Sequence, residues 1–190
     1  MPDTVQDKIT NFLNKLKEVF SKYGVQPDLV DEAFRTEGTF VAFLSMLMTE
    51  DDLGRAVRVH LLVEGIIRRF VLSKLVKPKA FEKNLDYLQF TALINLAAGL
   101  GLKEDFLAPA IAVNRIRNEF AHRTRYELTK QDVDDLLNAS NGYLRTILND
   151  LASKHEQGPA KGLEEFWSTP TTGMQFALVG VFLIAKMIEG

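Results

Sequence analysis

The sequence predicts an all-α protein, and three observations carry that expectation. Apolar residues recur at three- and four-residue steps through most of the chain. No stretch sustains period-two alternation, and no Asn-Gly or Asp-Gly pair stands between strand-like runs. Helix caps, glycine stops and prolines punctuate the periodic runs where helices would begin and end.

The first run places Val5, Ile9, Phe12, Leu13, Leu16, Val19, Phe20 and Tyr23 on one face, with Gly24 as its stop. Pro27 opens a short helix through Phe34, and Thr39 caps a third over Phe40 to Met48. Thr49 with Asp52 resembles a capping box, Asp replacing the usual Glu. It introduces a long helix carrying Leu53, Val57, Leu61, Ile66, Phe70 and Val71, which Pro78 ends. Tyr87 to Ala98 forms the next run, flanked by Gly99 and Gly101. Because proline belongs in a first turn, Pro109 places the following helix from about Phe106 to Ala108 up to about His122. Thr129 and Asp132 repeat the capped start before one run from Val133 to Leu151. Gly158-Pro159 and Gly162 mark a loop around a short helix. Thr171 and Thr172 then introduce a last helix, Met174 to Ile188, apolar on nearly every side. A helix apolar all round is buried, between other helices or at a subunit contact.

At 190 residues the chain fits one domain. The expected organisation is a helical arm at 1–35, a core at 39–153 and the apolar helix at 172–188. With no cysteine and three histidines, the composition excludes thiolate zinc sites, iron–sulfur clusters and cysteine nucleophiles. The N-terminus lacks the pattern of a signal peptide, and the longest apolar run, Phe176 to Ala185, is about half of the ~20 residues a bilayer span needs. The expectation is a soluble cytoplasmic protein. A formal net charge of -2 argues against sequence-specific DNA binding and leaves no sign of a membrane contact.

Asn114 to Arg125 departs from this balance, with four arginines and one histidine against one glutamate, a local charge of about +3. At 100° per residue Arg115, Asn118, Glu119 and His122 share one helix face, and Val113, Ile116 and Phe120 form the opposite, apolar face. Two readings stand side by side. Arginines near a helix C-terminus favour its macrodipole and need no further reason. The same cations, Arg115, Arg123 and Arg125 among them, can bind an anion such as RNA.

Arg117-Asn118-x-x-x-His122 resembles the motif of the HEPN superfamily, set on one helix of an up-and-down four-helix bundle. The surrounding chain, Leu88 to Leu102 followed by Ile116 to His122, resembles the mannitol operon repressor family. The likeness covers roughly Thr39 to Leu151, with a weaker echo in the last helix. It implies a HEPN-like bundle with extra N- and C-terminal helices, assembled as a homodimer. It implies one of two functions. The first is a non-catalytic regulator acting through a protein partner. The second is a metal-independent endoribonuclease leaving 2′,3′-cyclic phosphate ends. In that second case the resemblance makes His122 the acid/base, Arg117 the phosphate ligand and Asn118 a positioning group, with RNA at the 115–125 patch. The roles suit the chemistry of imidazole and guanidinium.

Arg117 lies about 140° from His122 on an ideal helix, so it also suits an ion pair with Asp51, Asp52 or Glu64. HEPN toxins often carry a tyrosine two positions after the histidine, where this chain has Thr124. Glu119-x-x-His122 is a di-iron spacing, but neither His60 nor His155 has an acid three residues earlier, so no metal site and no cofactor are expected. His60, with Glu64 one turn on, reads as a satisfied structural histidine. Asp51 with Arg55 and Glu64 with Arg68 read as ordinary i,i+4 pairs. Gly99-Leu100-Gly101 reads as a helix stop, and Trp167 as a packing anchor.

Overall fold

The structure is a computed structural model that describes residues 50–122, 127–146 and 171–189, and the described residues are helical with no strand. The expected helices between residues 5 and 48, the segment 152–170 and Trp167 lie outside them.

α1 (Asp52–Lys74) starts on Asp51, whose Oδ1 accepts the Gly54 N–H at 2.8 Å and satisfies one of the first turn's free donors. The cap is therefore Asp51, and Asp52 pairs with Arg55 instead. Pro78 opens a helix of its own, α2 (Pro78–Leu85), because its fixed φ suits a first helical position. The expected run from Tyr87 begins later, as α3 (Phe90–Gly99), with Tyr87 exposed in the turn before it. α4 (Glu104–Ala121) starts earlier than Pro109 suggested. Glu104 and Asp105 in its first turn favour the dipole, and Pro109 is tolerated inside, forfeiting one hydrogen bond.

α5 (Lys130–Ala139) has the predicted capping box: Thr129 N–H donates to Asp132 Oδ2 at 2.8 Å, and Asp132 N–H donates back to Thr129 Oγ1. The expected single run to Leu151 is interrupted, since Asn141 and Gly142 take φ of 52° and 77° before the chain turns helical again at residues 143–146. Asn and Gly are the residues that tolerate that region. Residues 147–151 lie outside the described residues. α6 (Thr172–Glu189) follows Thr171, whose Oγ1 accepts the Met174 N–H.

α1, α4, α5 and α6 pack as a closed ring, each against the next and α6 back on α1. Leu128, just beyond α4, donates its N–H to Asp52 at the start of α1, so α4 runs antiparallel to α1. Arg115 meets Asp135 and Asp105 meets Asn141, so α5 runs antiparallel to α4. α6 runs parallel to α1, because Gly173 lies against Asp52 and Gly180 against Val59, and hence parallel to α5 as well, so the four helices do not alternate as the expected up-and-down bundle would. α2 and α3 pack on α1 outside the ring, α3 reaching α4 as well. The apolar last helix is thus a wall of the bundle rather than an addition to it. Phe176, Val179, Phe182 and Ile184 lie in one core with Val59, Val63 and Ile67 of α1, Val113 and Ile116 of α4 and Leu136 of α5. Each such side chain contributes ~1.5–3 kcal/mol by leaving water. No helix among the described residues is long and apolar enough to cross a membrane.

The ring depends on a close approach at Gly180. A Cβ there would sit 2.7 Å from Val59 Cγ1, a branched side chain with no exposure, whereas one at Gly65 on the outside of α1 meets nothing within 4 Å. Gly180→Ala should therefore destabilise the protein, by about 1 kcal/mol or more, despite its gain in helix propensity. Gly65→Ala should stabilise it by ~0.5–1 kcal/mol. Urea unfolding of the two variants measures both signs.

Candidate functional site

The outer face of α4 carries a solvent-open trough of about 380 Å³, lined by Ile111, Asn114, Arg115, Asn118, Glu119 and His122. Four of these are the residues that share a face in the sequence. Ile111 and Asn114 were missed, although Ile111 continues the row 111, 115, 118, 122 one turn back at four- and three-residue steps. Ile111 is 54% exposed in spite of its apolar side chain.

Each member is held differently. Arg115 forks between Glu119 Oε1 at 2.9 Å and Asp135 Oδ2 of α5 at 2.7 Å, and Gln131 donates to the other Asp135 oxygen. Its charge is thus met by two carboxylates. His122 is the exposed C-cap of α4, its backbone N–H donating to Asn118 O at 2.9 Å. Asn118 Oδ1 accepts from Arg117 Nη1 at 3.0 Å. Arg117 does not line the trough, and its guanidinium lies close enough to buried His60 to oppose that ring's protonation. None of the ion pairs among the described residues joins Arg117 to Asp51, Asp52 or Glu64. Arg123 and Arg125 lie outside the described residues.

Asn114 connects this surface to the interior. Its Oδ1 lies 3.1 Å from His60 Nε2, which donates to it, while His60 Nδ1 faces Glu64 Oε2 at 3.6 Å and has no hydrogen-bond partner. Glu64 in turn pairs with Arg68, and Arg68 donates to the Leu85 carbonyl at the end of α2. The Phe90 ring closes the site at 4.7 Å from the His60 ring. The expected i,i+4 pair of Glu64 and Arg68 is present, whereas His60 is only half satisfied. No group of His, Asp and Glu able to hold a metal ion occurs among the described residues.

Neither protein families, curated proteins nor solved structures show a match to this chain.

Burial pushes the His60 pKa below its ordinary 6.5, and the Arg117 charge adds to this; the Glu64 carboxylate and the Asn114 hydrogen bond act against it. The folded protein therefore keeps His60 neutral where the unfolded chain takes up a proton. The contribution is complete above 6.5 and is lost as pH falls from there through the lower folded pKa. Melting temperature should fall between about pH 7.5 and pH 5.5 in the wild type. His60→Gln, which keeps a donor for Asn114 but cannot titrate, should fall less over the same interval.

Proposed function

We propose that this chain is a non-catalytic regulatory protein of the mannitol operon repressor-like, HEPN type, acting in the cytoplasm through protein contacts made by the outer face of α4. The observation that carries this reading is the state of the arginines. Arg115 is neutralised by Glu119 and Asp135, and Arg117, which does not line the trough, has its guanidinium engaged with the Asn118 side chain. A phosphate at His122 would have to pull Arg115 off two carboxylates and Arg117 off Asn118. Such a face suits another protein better than a polyanion, since phosphate binding relies on cations free to release counterions.

The partner is a second copy of the chain. Arg115 and Glu119 stand one turn apart on the same row, with exposed Ile111 one turn before them. Two antiparallel copies of that row around a two-fold axis set arginine against glutamate and isoleucine against apolar stem, the self-complementarity an isologous contact requires. Neither sequence-specific DNA nor a membrane is part of this reading. The closed ring of four helices supports an all-α bundle, although its α5 and α6 run parallel instead of up and down.

One arrangement favours a second reading. Asn118 and His122 are neighbours in an open trough, as a metal-independent ribonuclease site would place its positioning group and its acid/base. Incubating single-stranded RNAs with the protein in excess chelator separates the two. No cleavage is expected. Cleavage to 2′,3′-cyclic phosphate ends that His122→Ala abolishes with folding intact would overturn the non-catalytic reading.

A further inference from the structure

The unpaired cations that the α4 trough lacks stand on α2, the short helix packed on α1. Lys77 is its N-cap, and Lys79 and Lys83 lie within it. All three are exposed, and none of the ion pairs among the described residues involves them. At 100° per residue Lys79 and Lys83 lie opposite Phe81 and Leu85, which pack on the core, so the two lysines form the outward row of the helix. The one acid in α2 is Glu82, and Asp86 at its end stands 3.9 Å from Arg68.

Each end of this row carries a large side chain left in water. Val76, just before α2, is 96% exposed, and Tyr87, just after it, is 86% exposed. The eight residues of helix between them span roughly 12 Å at ~1.5 Å each. A nucleic-acid strand would use the lysines and leave Val76 in water. The interface of a bilayer takes all of them: lipid phosphates meet the ammonium groups, the acyl boundary meets the valine, and the tyrosine sits at headgroup depth with its hydroxyl toward water.

We infer that the outer face of α2 is a contact surface for a bilayer rich in anionic lipids, with the helix lying flat on it and Val76 and Tyr87 entering at its two ends. The contact is reversible, since each lysine near such a surface contributes only about fivefold and the two anchors are single side chains. A formal net charge of -2 hides this surface, because acids elsewhere on the chain balance its cations in the total. The surface is separate from the α4 trough and does not rest on the function proposed for it.

Co-sedimentation of the full chain with vesicles provides the test. Phosphatidylcholine vesicles with about a third phosphatidylserine should carry the protein down, pure phosphatidylcholine should not, and high salt should release it. Lys79→Gln/Lys83→Gln should weaken partitioning about tenfold or more, and Val76→Ser/Tyr87→Ala severalfold. All four positions are exposed, so these variants keep the fold. Lys130→Gln, which removes a charge at the start of α5, should bind as the wild type does. No binding to the anionic vesicles, equal binding to the neutral ones, undiminished binding by the α2 variants, or an equal loss in Lys130→Gln would each overturn the assignment. So would capture of single-stranded RNA by the α2 lysines in preference to the vesicles.

Discussion

The position of everything on the α4 surface depends on how closely α6 lies against α1. Gly173 meets Asp52 and Gly180 meets Val59, and both pairs differ by the same number of positions, so two helical turns of the seam run parallel and in register. At that offset Ala177 stands level with Ala56, both buried, which keeps the seam narrow. The carboxylate of Asp52 lies at the tight end of this seam, pairs with Arg55 and accepts the Leu128 N–H from beyond α4. One side chain thereby connects the starts of α1 and α6 to the segment that follows His122. Widening the seam would move Asp52, and with it the end of α4 that carries the trough.

A chain of polar groups crosses the bundle on the other side of α1. It runs from Asn114 to His60, Glu64, Arg68 and the Leu85 carbonyl, linking the outer face of α4 to α2. Buried polar atoms left without a partner cost ~1–3 kcal/mol, and His60 Nδ1 is one. The arrangement holds because Phe90 and the α1–α4 contact shut water out, and because an imidazole kept neutral avoids the larger cost of a buried charge. Arg117 touches both groups, donating to Asn118 of the trough while its charge opposes protonation of His60.

Much of the fold was legible in the sequence because it follows from local chemistry. The Thr129–Asp132 box, the threonine start of α6, the Glu64–Arg68 pair and the opposition of Val113, Ile116 and Phe120 to the Arg115–His122 face are all set by neighbours within a turn or two. Prolines and polar turns were harder to read. Pro78 starts a helix rather than only ending one, Pro109 sits inside one, and Asn141–Gly142 breaks a run that apolar spacing made continuous. Each of those outcomes is decided by tertiary contacts, such as Asp105 holding Asn141, that periodicity does not contain. At the trough, the row of polar residues was visible, but the pairing of Arg115 with Asp135, twenty positions away on α5, was not. Nor did a cavity at the other end of the bundle show, since Lys103, Tyr143 and Lys186 come to line it only when the bundle closes.

The Arg-rich stretch looks like an anion site when its charges are counted along the chain. In space, the acids of α5 and Glu119 answer Arg115, leaving a face of mixed charge around an exposed isoleucine. The proposal that this face pairs with its own copy is the central claim, and sedimentation equilibrium tests it most directly. The wild-type chain should form a dimer at micromolar concentration, and Ile111→Asp should shift it to monomer while leaving the melting temperature nearly unchanged. A wild-type protein that stays monomeric, or an Ile111→Asp variant that dimerises as tightly as the wild type, would contradict it.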